Sequence, residues 1–415
     1  MLLRLLSAFG IVAMLGMAYA LCPRERRAHV AWRTVGFGVG LLLLLALLFL
    51  RTPLSAFFGV ANTAVERLLA FSRDGASFVF GRLATDPKSF GFIFAVQVLP
   101  TILFFSALMS VLYHFRVMPF LVERGGRFLS RVLGTSGAES FSTMADVFVG
   151  QTEAPLVIRP YLPRLTLSEL HACLVAGFAT TAGGVLAAYV VMLSDKVPGI
   201  AGHLIACSVM SAPASLAVAK LIMPEVDQPD TAGHTPGTLP RASENLLDAI
   251  ATGTVDGVKL AVNVGAMLIV FLALTGMVNA GLGWAGAQVG LDLSLQRVFG
   301  WVFAPLAFLM GVPFHEVTKV GGLLGEKTVL NEFVAYSRLS SELSRDPAWL
   351  SERGRLIVTY ALCGFANFGS IGIQIGGYSG LAPERRGDVS RLALRAMIGG
   401  LLTTCIVASA AGIML

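Results

Sequence analysis

Residues 172–194 read ACLVAGFATTAGGVLAAYVVMLS. The stretch holds no charged side chain and matches the roughly 20 apolar residues that a helix needs to cross the hydrocarbon core of a bilayer. Its middle, GFATTAGGV, is rich in residues that loosen a helix. An interrupted helix at membrane depth is tolerated only where it is buried in protein or lines a wet cavity, because unpaired backbone groups facing lipid are costly.

Outward from this stretch lie seven more spans with few or no charges: Leu2–Cys22, Thr34–Leu50 (running on past Arg51 into LSAFFGV), Phe90–Tyr113, Pro198–Ala219, Ala261–Leu291, Leu356–Pro383 and Met397–Leu415. The chain of 415 residues is 55% hydrophobic and 13% charged, with a mean hydropathy of +0.75. An ordinary soluble domain carries about 25% charged residues. Composition therefore excludes a soluble enzyme, a disordered chain and a nucleic-acid binder, and the expected fold class is an all-α polytopic membrane protein. The net charge of +6 reads as a basic cytoplasmic face. The five cysteines show no CxxC spacing and no histidine pair forms HExxH, so neither a disulfide framework nor a zinc site is expected. Gly321–Thr328, GGLLGEKT, imitates a phosphate loop, but its glycines stand one residue too close and no parallel sheet is expected to hold it.

Ala18-Tyr19-Ala20 resembles a signal-peptide cleavage site. Only Arg4 precedes that apolar run, however, while Arg24, Arg26, Arg27 and Arg33 follow it. Positive charge behind an apolar stretch retains that end in the cytoplasm, so the run is read as a membrane helix with its N-terminus outside. Eight crossings then put both termini outside and Pro23–Arg33, His114–His171, Lys220–Lys259 and Glu384–Arg395 inside. Arg385, Arg386, Arg391 and Arg395 crowd the last loop as four arginines crowd the first. Phe57–Leu83 mixes apolar and charged residues at helical spacing, which predicts a helix on the outer surface. Pro224–Asn245, rich in Pro, Thr, Gly and Asp, predicts an inside linker.

Two apolar segments fit no crossing. Phe141–Pro163 carries Asp146, Glu153 and Arg159, and Val298–Phe314 is short and followed by His315 and Glu316. FVGQTEAPLV (148–157) leads to Gly177-Phe178-Ala179 inside a span; FLMGVPFHEVTKV (308–320) leads past Asn331-Glu332 to Gly364-Phe365-Ala366 inside another. The first unit starts from the inside and the second from the outside, which makes them inverted repeats, an architecture common in secondary transporters. Two helix–turn–helix hairpins from opposite faces would bring their tips to the broken helices, where free amides and carbonyls hold a polar solute. Gly, Ser and Thr alone would serve close packing. Carboxylates at membrane depth are expensive and mark function, so Asp146, Glu153 and Glu332 are site candidates. His315 and Glu316 stand between a site role and the capping of helices at a hairpin turn.

With these residues on the page, the chain resembles the concentrative nucleoside transporter family. The likeness lies in FVGQTEAPLVIRPYLP (148–163), AGFATTAGGVLAAY (176–189), NVGAMLIVFLAL (263–274), GVPFHEV (311–317), NEFVAYS (331–337) and ALCGFANFGSIG (361–372), and it covers nearly the whole chain. The resemblance implies eight transmembrane helices plus two re-entrant hairpins, a homotrimer in the bacterial inner membrane, and nucleoside import coupled to a cation gradient by an elevator-like movement, with no cofactor and no covalent chemistry. It implies scaffold helices in residues 1–134, a first transport repeat in 135–222, a linker and scaffold helix in 223–297, and a second transport repeat in 298–415. The family's substrate contacts fall on Gln151, Thr152 and Glu153 at the first hairpin tip and on Val185 for the base. Glu332, Asn367 and Ser370 match ribose contacts, with Phe365 against the base. Its cation site falls on Asp146, Val149, Thr180 and Thr181. Sodium-coupled members carry Asn where this chain has Asp146, and Ser with an aliphatic residue where it has Thr180-Thr181. An acid at that place adds a titratable group with its charged form disfavoured by dehydration, which favours H+ over Na+ as the coupling ion. The rival expectations are a stronger sodium site, or an Asp146 that merely caps a half-helix or pairs with an Arg.

Two other classes compete. A membrane-embedded transferase or hydrolase using Glu153 and Glu332 as an acid–base pair lacks a nucleophile motif, a metal-ligand cluster and a phosphate loop. A passive channel is disfavoured by inverted repeats with discontinuous helices, which point to alternating access. Purine or pyrimidine preference depends on cavity shape.

Overall fold

The computed structural model describes residues 1–52, 55–91, 93–233, 243–288 and 290–415. Among them every regular element is helical. The chain opens with α1 (Leu2–Ala20), α2 (Trp32–Arg51), α3 (Ser55–Phe80), α4 (Leu99–His114) and α5 (Val117–Leu133). A first unit follows as α6 (Gly137–Asp146), α7 (Leu167–Ala179), α8 (Gly183–Leu193) and α9 (Ile200–Ile222). After α10 (Leu246–Gln288) and α11 (Leu295–Leu309), a second unit comprises α12 (Val317–Val329), α13 (Glu332–Arg345), α14 (Glu352–Leu362), α15 (Phe368–Leu381) and α16 (Arg386–Met414).

Among the described residues, seven stretches of helix are long and apolar enough to cross a membrane. Leu356–Pro383, expected as an eighth span, is divided into α14 and α15, and Leu167–Leu193 is interrupted between α7 and α8. The expected run-on of Thr34–Leu50 past Arg51 does not occur. Thr52 is extended (φ −103°, ψ 167°), the conformation favoured before Pro53, and α2 stops. The helical reading of Phe57–Leu83 corresponds to α3, which ends before Gly81 at φ +55°. The long helix expected at Ala261 instead begins at Leu246. Asp248, Asp256 and Lys259 hid those turns from a search for apolar runs, yet Gly253 and Gly257 press them against α4. A Cβ at either glycine would come within 2.8 Å of the Ala107 or Leu103 Cα. The expected linker at 224–245 lies in part outside the described residues; at its far end His114 Nδ1 meets Ser243 Oγ at 2.8 Å.

Helix starts follow the sequence's capping residues. Ser136 with Glu139 and Thr166 with Glu169 form reciprocal capping boxes at α6 and α7. Asn331, Ser351 and Asn367 accept from the backbone at the starts of α13, α14 and α15.

Side-chain to backbone contacts order the two ends of the bundle. At one end Arg26 donates to Pro224 O (3.3 Å), Ser168 to Met223 O (2.7 Å) and Arg385 to Leu165 O (2.6 Å). The four segments expected on a common face thus meet, and Gly137 N joins them through Thr231 O (3.1 Å). At the other end Arg4 donates to Leu415 O (2.8 Å), Arg353 to Gly311 O (2.9 Å) and Arg355 to Lys196 O (3.5 Å). Helix α7 starts at the first end, where α9 finishes; α14 starts at the second, where α8 finishes. The two units run in opposite senses.

The hairpin arms obey the same inversion. The first leaves the Thr231 end along α6, turns at residues 147–153 and returns to Leu165. The second leaves the Gly311 end along α12, turns at Leu330-Asn331 and returns along α13. The bend at Gly311–Glu316 is therefore not the second tip but the joint between α11 and α12. Glu316 accepts from Ser351 N (2.8 Å) and Ser351 Oγ (3.1 Å), so it braces the start of α14, while His315 is exposed. The first unit is further held by a buried ion pair, Lys220 Nζ to Glu139 Oε2 at 2.8 Å, with both side chains at most 7% exposed.

Candidate functional site

Both helix interruptions are built by backbone that a helix cannot keep. Thr180 at the end of α7 is extended (φ −119°, ψ 166°), as is Ala182 before α8 (φ −62°, ψ 140°). The first hairpin tip docks there. Gly183 N donates to Phe148 O at 3.0 Å, and Gly150, at φ +99°, sits where a Cβ would stand 2.7 Å from Ala182 Cβ. In the second interruption Gly364, at φ +127°, lies on the last turn of α7, with a Cβ position 3.0 Å from Ala179 C and O. Only glycine meets both demands. Thr181 Oγ1 and Cys363 Sγ close the joint at 3.3 Å. The Gly-Phe-Ala echo is thus not a structural equivalence. Gly177-Phe178-Ala179 is the helical end of α7, whereas Gly364-Phe365-Ala366 is the interruption itself. Gly364 itself holds φ +127°, whereas Gly177 keeps helical backbone inside α7.

From this crossing a chain of polar side chains runs between the two tips. Glu332, the first residue of α13, accepts from Tyr189 OH (2.9 Å) and Asn367 Nδ2 (3.1 Å). Asn367 Oδ1 accepts from Ser370 N (2.8 Å), and Ser370 Oγ accepts from Gln151 Nε2 (3.2 Å). Gln151 Oε1 accepts from Gln374 Nε2 (3.0 Å), which also donates to Leu174 O (3.2 Å). Gln151, Glu332, Asn367 and Ser370 are all buried. The starts of α13 and α15 both face Glu332, and the positive ends of helices favour its anion. Tyr189 is held by Tyr336 and Phe333, with ring centroids 4.4 and 4.8 Å away. Thr152 and Glu153 are exposed beside this chain, Phe365 is half-buried, and Val185 is buried in α8.

The second expected cluster lies on the first interruption. Asp146, Val149, Thr180 and Thr181 are buried, and Thr180 Oγ1 donates to Ala176 O at 2.9 Å. Asp146 is the last residue of α6, 1% exposed, and its Oδ1 has no hydrogen-bond partner among the described residues. Neither the half-helix cap nor the Arg partner is found among the described residues: Asp146 ends α6, where a carboxylate has no free N–H to accept from. A carboxylate at the negative end of a helix, next to the carbonyl end of α7, needs either a proton or a cation.

Three residues at these joints escaped the sequence reading: Tyr189, Gln374 and Lys327. Gln374 was visible as an amide inside the span 356–383. Lys327 stood inside the discarded GGLLGEKT stretch. Nothing in the order of residues pairs Tyr189 with Glu332.

Three family models match the chain. "Na+ dependent nucleoside transporter N-terminus" covers residues 9–83, "Nucleoside recognition" 95–196, and "Na+ dependent nucleoside transporter C-terminus" 203–412. An uncharacterized transporter of Haemophilus influenzae is 44% identical over 98% of this chain and 97% of its own length. Sodium/nucleoside cotransporter 1 of Rattus norvegicus is 41% identical over 99% of this chain, which spans 64% of that longer protein. Among solved structures, CNTnw in an inward-facing substrate-bound state superposes with a TM-score of 0.92 at 42% identity, covering 99% of this chain and 98% of that one. A CNTnw variant in an outward-facing state gives 0.94 at 41% identity, covering 100% and 99%.

Proposed function

Because the chain belongs to the concentrative nucleoside transporter family, a family of membrane transporters and not of enzymes, we propose that it imports nucleosides by symport with a cation. The observation that carries this reading is the continuous polar chain from Glu332 through Asn367 and Ser370 to Gln151, which joins the two hairpin tips past the second helix interruption. A carboxylate and an amide serve the ribose hydroxyls, and Gln151 and Thr152 serve the base edge. Glu153 flanks them, and Phe365 and Val185 supply the apolar contacts a flat ring needs. A site built to pair hydroxyls rejects analogues that lack them. The site joined by both tips would travel with a transport unit of 135–222 and 298–415 that moves in an elevator-like way against helices in 1–134 and 223–297. The relatives in inward- and outward-facing states support alternating access of this kind. Three copies are expected to assemble in a bacterial inner membrane with both termini outside, an orientation supported by the arginines gathered at one end of the bundle.

We assign coupling to Asp146, with Val149, Thr180 and Thr181 around it, and favour H+ over Na+. The support is the buried carboxylate at the end of α6, which forms no ion pair among the described residues. A proton renders it neutral for passage. Sodium is the second reading, favoured by the sodium dependence in the family's description and by the hard oxygens of Thr180 and Thr181. Uptake of radiolabelled uridine into proteoliposomes separates the two. Accumulation with choline in place of sodium, rising on external acidification and losing that rise in Asp146→Asn, supports protons. Uptake that requires sodium and ignores pH overturns that choice, and failure to accumulate uridine under any gradient overturns transport itself. Nucleoside recovered chemically unchanged excludes hydrolysis or transfer.

A further inference from the structure

We propose that the ammonium of Lys327 is a tethered cation that fills, in the second unit, the place where the first unit receives its coupling cation. This inference rests on the cation role proposed for the Asp146 joint. Lys327 lies in the last turn of α12 and is fully buried. Its Nζ donates to Ala361 O at 2.8 Å and to Thr404 Oγ1 at 2.9 Å, and it forms no ion pair among the described residues. Ala361 is the penultimate residue of α14, so its carbonyl belongs to the unpaired set at that helix end.

Inversion relates the two places. Helix α6 is the outgoing arm of the first hairpin and α12 that of the second; α7 and α14 are the first halves of the broken helices. In each unit the outgoing arm and the first half-helix both end at the interruption. Each of these two helix ends carries about half a negative charge, so each joint presents two carbonyl ends on this side, while in the second unit the positive starts of α13 and α15 face Glu332. In the first unit Asp146 stands at this joint with an unpartnered oxygen, and the unit's buried lysine, Lys220, is committed elsewhere to Glu139. In the second unit Lys327 answers the same charge with a group that cannot leave. Its flexible stem and three donors suit a point-charge role toward carbonyl and hydroxyl oxygens. Two consequences follow. The second joint needs no exchangeable ion, and Glu332, five residues along the same hairpin, retains its anion for the solute without one. A purely space-filling lysine would be expected to tolerate methionine better than the bulkier arginine.

The test compares wild type with Lys327→Met, Lys327→Arg and Lys327→Ala in uridine uptake by proteoliposomes and in thermal unfolding of the purified proteins. Loss of about tenfold or more in uptake is expected for Lys327→Met, the scale of one charge-assisted hydrogen bond. Lys327→Arg should exceed Lys327→Met in both uptake and melting temperature. Added methylammonium should raise uptake by Lys327→Ala and leave wild type unmoved. Unchanged uptake in Lys327→Met, a Met variant that melts at or above the Arg variant, or a Lys327→Ala defect indifferent to methylammonium and alkali cations each overturns the proposal. Should the neutral variants not survive purification, thallium(I) soaked into crystals of the wild type decides: an anomalous peak within coordinating distance of Ala361 O refutes a resident ammonium, and its absence there supports one. Wild type that fails to accumulate uridine counts against the transport reading alone, since the melting order and the thallium experiment do not depend on transport.

Discussion

Substituting Glu332 by glutamine preserves its shape and isolates its charge. The carboxylate is 4% exposed and accepts from Tyr189 OH at 2.9 Å and Asn367 Nδ2 at 3.1 Å. The Asn367 amide cannot turn over to compensate, because its Oδ1 already accepts from Ser370 N at 2.8 Å. Glutamine can keep its Oε1 toward Asn367 Nδ2 and donate its Nε2–H to the Tyr189 hydroxyl, which accepts as well as donates, so the substitution chiefly withdraws the negative charge from the ribose side. A hydrogen bond to a charged group contributes about 1.5–3 kcal/mol, which at about 1.4 kcal/mol per decade predicts uridine binding weaker by roughly ten- to hundredfold. Glu332→Ala additionally strands both donors in a closed site at about 1–3 kcal/mol each, so it should lower the melting temperature further than glutamine does. Calorimetric titration of the detergent-purified protein with uridine and 3′-deoxyuridine gives the assay. The wild type should prefer uridine clearly and the glutamine variant should narrow that preference. Near-normal uridine affinity in Glu332→Gln, or an equal loss for both ligands, would refute the assignment of Glu332 to the sugar.

Gly364→Ala should destabilise by roughly 1–3 kcal/mol, the cost of a side chain held in a glycine-only backbone region, and scanning calorimetry on the intact protein would show a lowered melting temperature; an unchanged one would contradict the close crossing of the two interruptions. Lys220→Met should cost about 3–5 kcal/mol by leaving Glu139 buried without its partner, while Lys220→Met with Glu139→Gln should recover most of that loss, as read from thermal melts of both. Single cysteines placed in Arg24–Arg33 or Glu384–Arg395 should react with an impermeant maleimide only after the membrane is opened, whereas cysteines in Phe57–Leu83 should react without it; the reverse pattern inverts the orientation.

Much of the fold was legible because a bilayer simplifies the reading. Long uncharged runs had to be helices, arginines collected in the loops of one end, and Ser136, Thr166, Asn331, Ser351 and Asn367 announced helix starts through their own hydrogen-bonding chemistry. Where the reading failed, a charge had masked a helix or glycine and proline had drawn a turn to the wrong bend. Asp256 and Lys259 hid the first turns of α10, whose polar groups remain exposed while Gly253 and Gly257 face α4. Gly311–Glu316, with its glycine and proline, read as the hairpin bend, whereas Leu330-Asn331 carries no comparable turn signal.

The sequence by itself determined the class of protein, the inverted pair of units and the residue types at the proposed solute and coupling sites, because hydropathy, glycine and intramembrane acids are local signals with few alternatives. Tertiary structure alone decided which of those residues meet. Gln151 and Ser370 are 219 positions apart and Tyr189 and Glu332 are 143, and no local rule pairs them. Their contact arises because Gly364 lets the second interruption lie on the end of α7, which brings both hairpin tips to one crossing. Likewise the residues around Lys327 read as an imitation phosphate loop in one dimension; its burial against Ala361 O and Thr404 exists only once α12, α14 and α16 are packed together.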